Sequence, residues 1–388
     1  MKKYRRWFVL AVFVMSFILV FGVDVGVSSA DMLPEVSERE TGLIDSEHED
    51  TESADNWWET ASGRKRFRLN MGAKSIYDSN VFNYSRDEID LYDADSNSNR
   101  FDGVKSIDDV ITELSIIGQM REEMFDIGPT TFSVGTEANI YSENTDRTYM
   151  KLKTSVRQNI GKDNIVRGGY TFIPDYFIRT LYDGDQAAGD RYRKLEFTTH
   201  AGHLKYWNRL SDIITWWLRG TYEYKDYNEH FQERDTHAFR LTCAMAVKPE
   251  KWYKINPYFR YFWNSADGTD DEPDIDSDIS RDGFDTGGNL WFYPESKFSY
   301  MLGYGFRWTQ YDSSNSIEDD PYHSGRKQDR HRIKGRVKYA LRKNIDLFTE
   351  YAYEIRNVDV KGADTLLEEE SILEYDKHVG TVGIAIRF

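Results

Sequence analysis

Side chains along most of this chain alternate between apolar and polar with a period of two. The final stretch is the clearest case. Val382, Ile384, Ile386 and Phe388 fall on one face of an extended segment, with Thr381, Gly383, Ala385 and Arg387 on the other. The same alternation runs back to about Arg64: Phe67, Leu69, Met71 and Ala73 in a first strand, Thr112, Leu114, Ile116 and Met120 in a second, Met150, Leu152 and Val156 in a fourth. Further on come Ile214, Trp216 and Leu218; Phe239, Leu241, Cys243 and Met245; Phe298, Tyr300, Leu302 and Tyr304; and Ile333, Gly335 and Val337. The stretch from Arg191 to Trp207 is a strand whose phase is not legible. In all, the pattern predicts about fourteen strands, an even number.

The connections sort by parity. Gly161-Lys162-Asp163, Asn208 to Ser211, Pro249-Glu250, Pro294-Glu295 and Lys343-Asn344 are short turns. Between them lie long polar stretches: Tyr84 to Ser106, Asp183 to Asp190, Ser265 to Arg281, Asp312 to Gln328 and Val358 to Glu374. Short turns on one rim and long loops on the other separate a membrane barrel from a sandwich. The predicted fold is all-β: a transmembrane, antiparallel, up-and-down β-barrel at 64–388. A closed barrel is required because lipid cannot satisfy an open sheet edge.

Composition sharpens this. Of 388 residues, 26 are Tyr, 22 Phe and 10 Trp, so aromatics are plentiful. Mean hydropathy is nevertheless −0.68. Aromatic girdles around a hydrated interior reconcile the two. Residues 1–30 read as an export signal, with Lys2, Lys3, Arg5 and Arg6 before an apolar run and Ser28-Ser29-Ala30 after it. Residues 31–63 read as an acidic, disordered leader. The one cysteine, Cys243, rules out an internal disulfide and reads as a small outward-facing hydrophobe.

Candidate chemistry lies on the polar face. Arg66, Arg68, Lys151, Lys153, Arg157, Arg167, Arg219, Arg240, Arg260, Arg307, Arg332, Lys334, Arg336, Lys338, Arg342 and Arg387 would point into the lumen. Fewer acids accompany them: Glu113, Glu137, Glu223, Asp285, Asp346, Glu350 and Glu354. A chain of net charge −16 thus places a basic excess inside its wall. Such rings favour anions; cross-strand pairing that merely fills a narrow barrel accounts for the same residues. Asp274-Ile275-Asp276-Ser277-Asp278 resembles the start of a calcium loop, but Ile279 stands where that turn needs glycine. His200 and His203 face opposite sides of a strand and cannot share a metal. No nucleophile–base pair, phosphate loop or zinc spacing appears, so neither enzyme nor cofactor is expected. The acidic charge argues against nucleic acid.

Tyr77-Asp78-Ser79-Asn80-Val81-Phe82, together with the Tyr- and Phe-rich strands and terminal Phe388, resembles the β-barrel porin 2 family over roughly Arg64 to Phe388. That resemblance implies an outer-membrane pore, some members being associated with exopolysaccharide export, and it brings no catalytic set. The expected protein is therefore a bacterial outer-membrane pore or port in contact with lipid. It would pass small anionic solutes or polysaccharide through a basic lumen. A structural or adhesive barrel plugged by ion pairs, and a surface hydrolase, are the alternatives.

Overall fold

The computed structural model describes residues 58–59, 65–96, 98–125, 127–182, 192–266, 279–294, 296–313, 325–359 and 374–388. The expected export signal at 1–30 lies outside them, as does the leader at 31–63 apart from Trp58 and Glu59, and so does the Asp274–Asp278 run.

The strands are β1 (Trp58–Glu59), β2 (Lys65–Asp78), β3 (Asp109–Phe125), β4 (Gly128–Tyr141), β5 (Tyr149–Ile160), β6 (Asn164–Tyr182), β7 (Tyr192–Arg209) and β8 (Ile214–Tyr227). They continue as β9 (Thr236–Glu250), β10 (Tyr253–Ala266), β11 (Arg281–Phe292), β12 (Phe298–Tyr311), β13 (Lys327–Arg342), β14 (Ile345–Asp359) and β15 (Tyr375–Arg387). Each strand from β2 to β15 pairs antiparallel with the next, and β15 returns to β2 with Val379 opposite Asp78 and Arg387 opposite Asn70. The wall is thus a closed, up-and-down barrel of fourteen strands, β2 to β15, with no free edge; β1 is a two-residue pairing against β2.

The wall is inside out relative to a soluble protein. Val134 is 65% exposed and Leu204 62% exposed, whereas their neighbours on the other phase, such as Lys205 at 1% and Arg219 at 4%, are buried. Apolar side chains cover the outside and polar ones fill the inside, the polarity a bilayer demands. No described helix is long and apolar enough to cross a membrane. Several inward side chains lie across glycines of the next strand: Tyr258 Oη comes within 3.1 Å of where a Cβ would stand on both Gly287 and Gly305. A side chain there would push the tyrosine off the wall.

On the outer face a pairing repeats. Tyr170 Oη lies 2.7 Å from His200 Nδ1, Tyr222 Oη 2.7 Å from His237 Nδ1, Tyr304 Oη 2.8 Å from His331 Nδ1 and Tyr351 Oη 2.6 Å from His378 Nδ1. Tyr261 with Asp282 and Tyr77 with Asp108 make the same diagonal contact. The four histidines stand ten positions before Leu210, Val247, Leu341 and Phe388 at the short-turn rim. Ten residues on a strand tilted about 40° span ~25 Å, the height of the apolar band. The collar therefore marks the outer edge of the hydrocarbon.

Candidate functional site

The connection between β2 and β3 does not lie flat over the rim. It folds into the mouth of the barrel, starting from the motif at the end of β2. The Asn80 backbone N–H donates to Asp78 Oδ1 (2.9 Å). Asn80 Nδ2 donates to the Tyr84 carbonyl (2.6 Å), while Asn80 Oδ1 accepts from the Tyr84 N–H (2.9 Å). Asn83 takes a left-handed φ of 55°, a conformation asparagine tolerates, and its Oδ1 accepts from Lys377 Nζ on β15. The YDSN stretch is thus a hinge that turns the chain inward.

The hinge delivers helix α1 (Arg86–Ala94). Ser85 Oγ accepts from the Glu88 N–H (3.1 Å) and Glu88 Oε2 accepts from the Ser85 N–H (3.2 Å), a reciprocal capping box. The other carboxylate oxygen of Glu88 meets Arg100 (3.2 Å) and Arg179 of β6 (3.3 Å). Lys377 and Arg179 stand on well-separated wall strands, so the segment bridges the opening. Around it gathers an apolar cluster that includes Phe82, Tyr84, Phe101, Tyr176, Phe177 and Phe197. The polarity of Tyr84 to Ser106 predicts a loop, whereas the structure places a helix there. Ser85-x-x-Glu88 was the signal that could have revealed the helix.

Burial pushes the Tyr84 hydroxyl up to about 12 from 10.0, with Arg179 opposing that shift. The neutral phenol is favoured in the fold, so the stabilisation is full below pH 10 and is lost as pH rises toward 12. It amounts to about 3 kcal/mol at most. Limited proteolysis of the mouth should accelerate between those pH values, and Tyr84→Phe should remove that component of the pH dependence.

Below the mouth the wall is densely charged. The cations singled out in the sequence occur in wall strands on the phase opposite the exposed apolar residues. Arg342 departs from this: a register irregularity between Ala340 and Arg342 leaves it exposed at the short-turn rim. The acids are each clasped. Glu137 holds Lys151 (2.9 Å) and Lys153 (2.7 Å), and Glu223 holds Arg240 (3.0 Å). Asp285 sits between Arg260 (2.8 Å) and Arg307. Glu350 holds Arg336 (2.7 Å), while Asp346 holds Lys338 (2.9 Å) and Arg387 (2.8 Å). Glu354 lies 3.6 Å from Arg330 and 3.9 Å from Arg332. Lys74, Lys205, Lys254, Arg330, Arg356 and Lys377 are further inward cations that the sequence reading did not single out.

Register adds an order that spacing along one strand cannot show. Arg157, Arg167, Lys205 and Arg219 face one another in succession across β5, β6, β7 and β8. Thr242 links Arg219 to Arg260, and the row runs on through Asp285, Arg307, Arg330 and Arg356 to β14. In the other direction, Thr131 links Arg157 to Arg121 and then Arg66 on β2. Arg66 lies near the short-turn rim and Arg356 near the long-loop rim. Because the strands tilt, the row climbs the wall as a single-turn ramp. Lys205 Nζ is 4.1 Å from the ring centres of both Trp207 and Trp217. Elsewhere, His203 faces inward against Gly169 while His200 faces out to Tyr170, and no group of three or more His, Cys, Asp or Glu is placed to hold a metal among the described residues.

No family model matches the chain, and no curated relative does. Among solved structures, a loop-deletion mutant of OmpT, an outer membrane protein of Vibrio cholerae, is similar at 8% identity and a TM-score of 0.46, over 84% of this chain and 100% of that one. The outer membrane channel DcaP of Acinetobacter baumannii is similar at 9% identity and a TM-score of 0.46, over 85% and 99%. A bacterial polysaccharide outer membrane secretin follows at 5% identity and a TM-score of 0.42, over 83% and 98%. Likeness this distant carries no solute, substrate or mechanism across. The closed fourteen-stranded wall, apolar outside and charged within, stands on its own geometry: the chain is a β-barrel of the bacterial outer membrane, in contact with its lipid.

Proposed function

We propose that the barrel is a passive port whose basic lumen favours anionic solutes, a small anion or a polysaccharide chain. The cations from Arg66 and Arg68 through Lys334, Arg336 and Lys338 would line its path. The observation that carries this is the inward ramp, where ten cations and one acid share a single row. Within the row, Asp285 pairs with Arg260 and Arg307, and Glu354 of the neighbouring row pairs with Arg330. The resemblance of residues 77–82 to the β-barrel porin 2 family supports the same conclusion. An export signal at 1–30 and an acidic leader at 31–63 belong to this proposal, as does the absence of catalysis.

Planar-bilayer recording tests it. The reversal potential in a salt gradient should show anion preference. Neutralising Arg167 and Lys205 to glutamine should move that potential toward zero. Cation preference in the unaltered protein would refute the proposal.

A second function has one observation in its favour. The folded mouth, pinned at Lys377 and Arg179, is what a plugged structural or adhesive barrel would carry. Absence of conductance in both the native protein and a variant freed at the mouth would favour it.

A further inference from the structure

Aromatic rings on the outside of the barrel are accounted for by lipid. A smaller set faces the lumen. Lys205 and Arg219 are buried on the inner side of β7 and β8, so Trp207 and Trp217, two residues from each, share that side. The two indoles face each other across the strand pair and are only half-buried. The Lys205 ammonium lies 4.1 Å from both ring centres, a cation–π contact that fixes how the rings stand. Next in register come Ala244 on β9 and Tyr258 on β10. Ala244 offers only a methyl group, so the wall is recessed between Trp217 and Tyr258. Tyr258 reaches over Gly287 and Gly305, so its ring lies along the wall and not across the lumen. One step toward the short-turn rim, Asn256 faces Asn289 in register, and both are half-buried. Asn256 Oδ1 has no hydrogen-bond partner among the described residues, so nothing there holds the amide in its present rotamer.

We propose that this patch is a saccharide subsite, which takes the pyranose rings of a sugar chain by their C–H faces and hydroxyls, not by charge. The inference rests on the port proposed above and selects the saccharide chain among its solutes. A pyranose with equatorial hydroxyls is flat, with C–H bonds on its two faces and hydroxyls around its edge. The C–H faces settle on the negative faces of aromatic rings. The hydroxyls both donate and accept, as do the amides of Asn256 and Asn289. A hydrocarbon would leave those amides unmet. A small anion would gain nothing from rings whose faces are themselves negative. Trp207 stands two residues before the end of β7 and Trp217 three residues after the start of β8. The subsite therefore lies just inside the short-turn rim, at the end of the lumen away from the folded mouth.

The test uses cellotetraose, a neutral β-linked chain, as probe. Sorbitol beside it supplies the same hydroxyls without a ring. Titration calorimetry on the full folded protein in detergent reads binding whether or not the lumen conducts. Bilayer recordings on the same preparation read anion preference separately. Cellotetraose should bind at least tenfold more tightly than sorbitol, and added salt should leave its affinity unchanged, since no charge takes part. Trp217→Leu should weaken it at least tenfold. Trp217→Phe keeps a ring beside Lys205 and should stay within threefold of the native protein. Asn256→Leu keeps the size of the side chain, loses the amide and should weaken binding at least fivefold. Trp216→Leu removes an indole from the same strand on the lipid face and should change it less than twofold. No binding of cellotetraose, binding no tighter than that of sorbitol, or equal losses at Trp216 and Trp217 overturns the subsite even in an anion-selective channel. A barrel with no anion preference that still shows the full binding pattern refutes the anion port and keeps the subsite.

Discussion

Glu88→Ala releases the mouth of the barrel. The carboxylate is 2% exposed and holds both Arg100 and Arg179. Its removal strands the Arg179 guanidinium among aromatic rings, with Tyr84 4.5 Å away. Breaking a buried pair from one side costs about 3–5 kcal/mol, and the same change removes half of the capping box that starts α1. The wall itself is untouched, so the barrel still folds while the segment 79–108 detaches. Single-channel conductance should rise severalfold over the native protein, and cleavage within 79–108 should quicken at least tenfold. Glu88→Gln keeps the shape and one acceptor, so it should lie between the two. Unchanged conductance in Glu88→Ala would show that the narrowest level lies elsewhere.

Asp285→Ala acts on the wall instead. This carboxylate accepts from Arg260 Nη1 (2.8 Å) and Arg307 Nη2 (2.7 Å), and all three groups are nearly inaccessible. Taking it away leaves two buried guanidiniums facing each other across β10, β11 and β12. The expected cost is again about 3–5 kcal/mol, seen as a lower denaturant midpoint of the barrel in vesicles. High salt should recover part of the loss by screening the repulsion. Anion preference should increase at the same time, since the one acid of the ramp is gone. A variant as stable as the native protein would mean that solvent or neighbouring hydroxyls already satisfy both arginines.

The wall was legible in the sequence because one rule governs it. Period two assigns every side chain to oil or to water, and the short and long connections fix which rim each end occupies. That is why Arg157 and Arg219 could be placed on the inner face before any register was known. The ramp was not legible. Whether Arg157 faces Arg167 or a residue two positions away is a property of strand pairing, and pairing depends on turn geometry that alternation does not encode. The mouth failed for another reason. Val81, Phe82, Tyr84 and Phe101 lie among many polar residues, so no periodicity stands out. Their burial is decided by partners on β6 and β7, far away in sequence. The tyrosine–histidine collar escaped because each histidine looks isolated on its own strand; the tyrosine that meets it belongs to the preceding one.

That collar has a consequence for where the protein can live. A phenol hydrogen-bonded to Nδ1 answers its own polarity and one imidazole nitrogen at once, four times around the circumference. If the surrounding leaflet thickens and its acyl chains rise over this level, fewer naked donors are dragged into fat than lone histidines would expose. The molecule should therefore tolerate hosts whose lipids differ by several ångströms in length, settling deeper or shallower with little penalty.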